Sequence, residues 1–326
     1  MILVTGSAGH LGEALMRLLA GRGLAARGVD LEPSPFTDMV GSIVDRGFVA
    51  AAMADVRAVI HAATLHKPHV GTHAAQAFVD TNVSGTLALL EAAQAAGVES
   101  FVFTSTTSAF GSALTPPPDA AAAWITEAVA PVPRNIYGTS KVAAEGLVEL
   151  AHRRDGLPAI VLRTARFFPE ADDDPVTRER YGRDNAQVNE LLHRRADIAD
   201  VAEAHLLAVA HAPRLGFGRF IVSATTPFGP EDLSELRRDA TTVVGRRFPQ
   251  AAAVYAAHGW RLFPTIDRVY VNAAARAALG WRPVHDFGRA LADLAEGRDF
   301  RSELAREVGA KGYHAAGVDP GPYAAV

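Results

Sequence analysis

The sequence predicts an α/β chain: a doubly wound parallel sheet with a smaller, mixed C-terminal lobe. Three observations carry that reading. Short apolar runs alternate with helical patterns through the first half of the chain. A glycine-rich turn joins the first run to the first helix. Beyond Phe167, proline and acidic residues cluster, and the regular alternation gives way to shorter, proline-punctuated segments.

Taken in order, Ile2–Thr5 reads as a strand, and residues 11–20 as a helix ended by Gly21 and Gly23. Residues 25–30 and 58–63 are the next strands. Residues 74–96 form a long helix closed by Gly97. Another strand covers 100–105, then a helix 136–153 and a strand 159–163. After the polar, arginine-rich stretch to Arg195, residues 200–211 read as an amphipathic helix and 218–223 as a strand that could return to the sheet. The result is a Rossmann-type unit over residues 1–166, rejoined at about 197–225. Residues 167–196 and 226–326 then make the substrate lobe. The tail from Gly317 is expected to be poorly ordered.

Composition narrows the function. The 326 residues carry a net charge of −4 with both signs scattered, so neither nucleic acid nor a membrane surface is an expected partner. There is no cysteine, which excludes disulfides, thiolate metal sites and a cysteine nucleophile. No apolar run reaches the roughly 18 residues of a membrane span, and the N-terminus reads as a strand rather than a leader. A cytoplasmic protein acting on a small molecule is the expectation. Only three of the 32 basic residues are lysines: Lys67, Lys141 and Lys311.

Two constellations carry chemistry. The first is Gly6-Ser7-Ala8-Gly9-His10-Leu11-Gly12, glycine at every third position between strand and helix. Such a turn lets the backbone approach a pyrophosphate at the positive end of the helix dipole. Asp30 ends the second strand, where a carboxylate accepts from both adenine-ribose hydroxyls and repels a 2′-phosphate. NAD is therefore favoured over NADP. The second is Tyr137-Gly138-Thr139-Ser140-Lys141, which opens a helix with Tyr137 and Lys141 on one face. An ammonium beside a phenol, together with a positively charged nicotinamide, is expected to bring the tyrosine pKa toward working pH. Upstream, Ser105-Thr106-Thr107-Ser108 places hydroxyls at the carboxyl end of a parallel strand, as ligands to the reacting oxygen or as helix caps.

Together these residues resemble the extended short-chain dehydrogenase/reductases, in particular the NAD-dependent epimerase/dehydratase branch and its nucleotide-sugar 4-epimerases. Val59-Ile60-His61-Ala62-Ala63, Asn82 in Asn-Val-Ser-Gly-Thr, and Leu279-Gly280-Trp281-Arg282-Pro283 match further motifs of that family. The resemblance implies hydride transfer with NAD. Tyr137 takes the proton, Lys141 holds the cofactor ribose, and Thr106 orients the oxygen. It implies a cofactor site of Gly6, Gly9, His10, Leu11, Gly12, Asp30, Leu31, Ser42, Ile43, Ala62, Ala63, Asn82 and Thr104, joined by Tyr137 and Lys141. Substrate contacts fall to His66, Thr107, Ser108 and Arg166. It also implies a homodimer formed through the helices 74–96 and 136–153.

The pattern departs from the family at three places. Thr107 and Ser108 stand where the 4,6-dehydratases carry an Asp-Glu pair, which disfavours elimination. Arg166 stands where nucleotide-sugar enzymes usually carry asparagine; it can bind a phosphate or a carboxylate, or pair with the acidic stretch 172–174. Gly41-Ser42 replaces the usual Gly-Asp, so an adenine contact is missing or falls to the serine, with Ile43 left to pack on the ring. The expected activity is an NAD-dependent epimerase or dehydrogenase acting on a sugar or sugar derivative. A dehydrogenase of a free sugar, sugar acid or related alcohol is the alternative, and an NAD-sensing regulator is the non-enzymatic one.

Some residues invite a function that their setting does not support. His66, His69 and His73 have helical spacing, but Pro68 is expected to interrupt a helix, and no carboxylate or thiolate nearby completes a zinc site, so no metal is expected. Arg194-Arg195 reads as a solvated face. Asp200 and His205, five apart, are assigned no chemistry.

Overall fold

Period-two alternation decides how the sheet is built. In the computed structural model, which describes residues 1–170 and 174–311, Leu3, Val59, Phe101, Phe103 and Val161 point to one side, and Val4, Ile60, Val102, Ile160 and Leu162 to the other. Strands apolar on both sides need cover on both sides, and they pair in parallel. The strands are β1 (Ile2–Thr5), β2 (Ala26–Asp30), β3 (Met39–Val40), β4 (Ala58–His61), β5 (Ser100–Thr106), β6 (Ala123–Ile125), β7 (Ala159–Thr164), β8 (Phe217–Val222) and β9 (Arg268–Tyr270). Seven of them form one parallel sheet in the order β3-β2-β1-β4-β5-β7-β8. β6 and β9 pair separately, also in parallel.

Helices His10–Gly21 and Ile198–Leu215 cover one face, through Leu11, Leu15, Leu19, Val201 and Ala204. Helices Arg46–Ala52, Gly85–Ala95 and Ile136–Asp155 cover the other, through Val49, Leu89, Leu90, Ala144 and Val148. The expected doubly wound sheet is thus present, and each of the six strands expected from the sequence lies within two residues of its expected bounds, while β3, β6 and β9 were not expected. A third core, around Val188, Leu236, Val243, Phe287 and Leu291, belongs to the C-terminal part of the chain. Chain order reverses at β1 and β4, and a crevice opens beyond their carboxyl ends.

Three local expectations need correction. The helix expected over 74–96 is three pieces, Ala75–Phe78, a π-helical stretch Val79–Ser84, and Gly85–Ala95. Pro68 does not break a helix but opens one, the 3₁₀ turn Lys67–Gly71, because the first turn needs no donor from it. The polar stretch before Arg195, to which the sequence reading assigned no element, holds helices Pro175–Tyr181 and Arg183–Leu191. Arg194-Arg195 is not a solvated face: Arg195 is 5% exposed, and both guanidiniums pair with the buried Glu190 at 2.8 and 2.7 Å. Gly317 and Asp172–Asp173 lie outside the described residues.

Candidate active site

The glycine turn is closed by contact. Gly6 has φ +75°, and a Cβ there would stand 2.8 Å from the Ala63 backbone nitrogen; at Gly12 it would stand 1.9 Å from the Gly6 carbonyl oxygen. No side chain larger than hydrogen fits at either place. Gly9 brings no side chain to cap helix His10–Gly21, which leaves the N-terminal turn facing the crevice. Asp30 accepts from the Ala8 N–H at 2.9 Å and from the Glu32 N–H at 3.1 Å, at the edge of the same crevice. Each carboxylate oxygen keeps a second lone pair for a ribose hydroxyl. These features fit a dinucleotide.

The crevice has a volume of about 1110 Å³. Gly6, Gly9, His10, Leu11, Gly12, Leu31, Ser42, Ile43, Ala62 and Ala63 line one half. Thr104, Thr106, Thr107, Ser108, Tyr137 and Lys141 lie at its floor, with His66 and Arg166 further along. Of the residues expected to touch cofactor or substrate, Asn82 alone is outside this lining. It is 1% exposed and its amide is fully engaged: Oδ1 accepts from Thr64 and from the Leu65 N–H, and Nδ2 donates to Leu65 O and Ser140. Its setting is that of a loop anchor.

Thr106 ends β5 and does two things. Its Oγ1 accepts from the Ser108 N–H at 3.0 Å, capping the 3₁₀ segment Thr107–Leu114, and it also hydrogen-bonds Tyr137. The two readings of that hydroxyl, cap and oxygen ligand, are therefore compatible. Asn135 accepts from the Gly138 N–H and so starts helix Ile136–Asp155 with Tyr137 in its first turn. Lys141 follows one turn later, 2% exposed, its Nζ 4.1 Å from the centre of the Phe103 ring.

Burial governs the ionisation of both residues. It pushes the Tyr137 phenol up to about 12, against a smaller lowering by the Thr106 hydrogen bond. It pulls Lys141 down to about 7, although the Glu145 carboxylate favours the charge. The expected depression of the tyrosine is not present: burial dominates, and the group that opposes it is Thr106, not Lys141.

Glu145, one further turn along, escaped the sequence reading. It is 2% exposed and receives two bonds from Arg163, at 2.9 and 2.7 Å, one from Ser105 at 2.6 Å, and an ion pair from Arg219 at 3.0 Å. The i, i+4, i+8 spacing of Tyr137, Lys141 and Glu145 was the available clue. Phe168 and Glu170 were also missed. Glu170 stands 2.9 Å from His10 Nε2 and accepts from the Lys311 N–H, while Lys311 Nζ pairs with Glu13. Arg134, Arg194, Arg268 and Tyr270 complete the far wall of the crevice.

Elsewhere, Asp200 is a splint: it accepts from the N–H groups of Val284 and His285, and its carbonyl receives the Trp281 indole at 2.9 Å. His205 bonds Thr104 at 2.9 Å. His69 meets His66 and His73 edge to face, and no cluster of three metal-ligating side chains occurs among the described residues. No helix among the described residues is long and apolar enough to cross a membrane.

Comparison with known proteins agrees with this geometry. The chain is 32% identical over 169 residues to the uncharacterized protein y4nG of Sinorhizobium fredii, spanning 39% of that protein and 49% of this one. It is 27% identical to a 3 beta-hydroxysteroid dehydrogenase/Delta 5-->4-isomerase of Mycobacterium tuberculosis, over 90% of this chain and 88% of the relative. It is also 27% identical to a UDP-glucose 4-epimerase of Rhizobium leguminosarum bv. trifolii, over 89% and 94%. A short-chain dehydrogenase/reductase superfamily protein from Agrobacterium tumefaciens, solved with bound NAD, superposes with a TM-score of 0.65 at 25% identity, covering 94% of this chain and 97% of that one. The family model described as "NAD dependent epimerase/dehydratase family" matches residues 2–222. The chain therefore belongs to the NAD-dependent epimerase/dehydratase family, enzymes of the extended short-chain dehydrogenase/reductase type with NAD as the family's cofactor.

Proposed function

We propose that the protein oxidises or epimerises a secondary alcohol of a sugar or sugar derivative, with Tyr137, Lys141 and Thr106 as the reacting set. The observation that carries this is the meeting of all three at the carboxyl end of β5, on the floor of a crevice whose other half is a dinucleotide turn. NAD, when bound, supplies a hydride acceptor. Thr106 holds the substrate oxygen against Tyr137, and the phenolate takes the hydroxyl proton. A phenol held near 12 needs added positive charge beside it before it acts near neutral pH, and Lys141 is the residue placed to supply part of it. Gly6, Gly9 and Gly12 hold the pyrophosphate, and Asp30 the adenine ribose.

Four arginines, Arg134, Arg166, Arg194 and Arg268, line the crevice, three of them beyond residue 165. That wall, in which Arg194 also pairs with Glu190 and Arg268 with Asp267, suits an anionic substrate and favours a nucleotide-sugar epimerase, which the 27%-identical UDP-glucose 4-epimerase supports. The hydroxysteroid dehydrogenase relative supports the second reading, a dehydrogenase releasing a ketone and NADH.

The test is thermal stabilisation with NAD present, by UDP-sugars against free sugars, sugar acids and an apolar secondary alcohol. The ligand that stabilises is then turned over by wild type and by Tyr137→Phe. Loss of at least about 1,000-fold in turnover with NAD affinity retained is expected. Full activity in the variant overturns the assignment. Interconversion without NADH marks an epimerase, and accumulated NADH marks a dehydrogenase.

A further inference from the structure

His61 ends β4 and is 1% exposed, directly beneath the crevice, and no part of the proposed chemistry uses it. Both ring nitrogens are bonded: Nδ1 lies 2.8 Å from Thr5 Oγ1, and Nε2 lies 2.9 Å from Thr86 Oγ1. The neighbours of those hydroxyls fix the direction of every bond. Thr86 donates its one proton to the Asn82 carbonyl at 2.6 Å, so toward His61 it can only accept. Nε2 must then carry the hydrogen.

Thr5 accepts from the Ala63 N–H at 3.1 Å, which leaves its own proton for Nδ1. The Nδ1–H neutral tautomer would set two lone pairs against each other at Thr86. The imidazolium would leave the Thr5 proton without an acceptor among these partners. Only one neutral form satisfies the whole chain.

The chain has two functional ends. At one, Thr5 precedes Gly6, and Ala63 is the residue whose backbone Gly6 approaches. At the other, Asn82 donates to Ser140, and Ser140 donates to the Tyr137 carbonyl at 2.9 Å. We propose that His61 is a positioning residue: locked as the Nε2–H tautomer, it ties the dinucleotide turn to the helix that carries Tyr137 and Lys141, so that the two halves of the site are ordered together. The proposal uses the dinucleotide turn and does not depend on Tyr137 being the base.

The surroundings hold His61 neutral. The rings of Phe101 and Phe103 flank it, with centroids 6.2 and 5.5 Å away, and Lys141 is the charged group acting on it. Burial, with that positive neighbour, holds the imidazole well below its ordinary range.

Two measurements on the intact protein test this. Nitrogen-15 spectra of the histidine rings should show one ring in the Nε2–H form that does not titrate between about pH 5 and 9, and His61→Gln should remove that signal. A titrating or Nδ1–H ring at position 61 overturns the proposal. NAD⁺ affinity is then measured by calorimetry for His61→Leu, Thr86→Val and the double variant, each first shown to be folded by its melting transition. Thr86 lies outside the crevice lining. The expected result is a loss of about tenfold for each single variant, no greater for the double, and recovery in Thr86→Ser, which keeps the hydroxyl. A lowered melting temperature with unchanged NAD⁺ affinity in Thr86→Val also overturns the proposal, because a merely structural chain gives that outcome.

Discussion

At the scale of single residues, Lys141 carries a cost of burial. An ammonium almost wholly out of water resists its proton, and its pKa falls to about 7 from an ordinary 10.5. Between those values the unfolded chain binds a proton that the native chain refuses. The group's contribution is thus full above about 10.5, falls as pH drops toward about 7, and is lost below. Lys141→Met removes that penalty while filling the same volume beside Phe103. Turnover should vanish, and stability at pH 7 should rise by about 1–2 kcal/mol. The gain should shrink as pH rises toward 10.5, a trend that urea denaturation at several pH values reads directly. A Lys141→Met protein less stable than wild type at pH 7 would show that the pairing with Glu145 outweighs desolvation.

At the scale of elements, the glycine turn and the helix Ile136–Asp155 were legible in the sequence because each depends on local constraints. A Cβ at Gly12 would meet the Gly6 carbonyl, so glycine spacing records a steric fact about seven consecutive residues. Gly12→Ala should therefore abolish measurable NAD⁺ binding in calorimetry, with a stability loss of about 2–4 kcal/mol. The π-helical stretch Val79–Ser84 left no such trace: a shift from i+4 to i+5 bonding changes no residue type. Nothing in the sequence marks Glu145 and Arg163 as partners; only the folded chain shows that they are buried against each other. Arg195 was misread for the same reason; its partner Glu190 is five residues away, off the helical spacing that a reader of sequence tests. The far wall of the crevice was least legible. Arg268 and Tyr270 reach it from more than a hundred residues beyond Tyr137.

At the scale of the whole molecule, helix Ile198–Leu215 is one of the places where the C-terminal part is fastened to the layer that covers the sheet. Asp200 and Asp197, both near the start of helix Ile198–Leu215, accept from Val284, His285 and Ser302, and Trp281 is wholly buried against that helix. Burial opposes charge on His285, but the Asp200 hydrogen bond and the fields of Asp197 and Asp200 outweigh it and raise its pKa. This contribution is full below the ordinary value of 6.5 and is lost as pH rises through the raised one. Asp200→Ala strips two backbone N–H groups of their acceptor at once. It should cost about 2–4 kcal/mol and detach the 281–285 segment, seen as faster amide exchange there and at Ser302. Unchanged exchange would place the fastening in the packing of Trp281 alone.

The alternation along β5 has a consequence for how this protein can evolve. Its odd positions serve one layer and its even positions the other, with Phe103 under Lys141, Thr104 on His205, Ser105 on Glu145, and Thr106 at the end. Substitutions along this strand change one neighbour at a time and leave the rest in place. Gaining or losing a single residue exchanges the two layers and turns the terminal hydroxyl away from Tyr137. The length of this strand is therefore held as tightly as the identity of Thr106 at its end, and insertions are tolerated best beyond its ends.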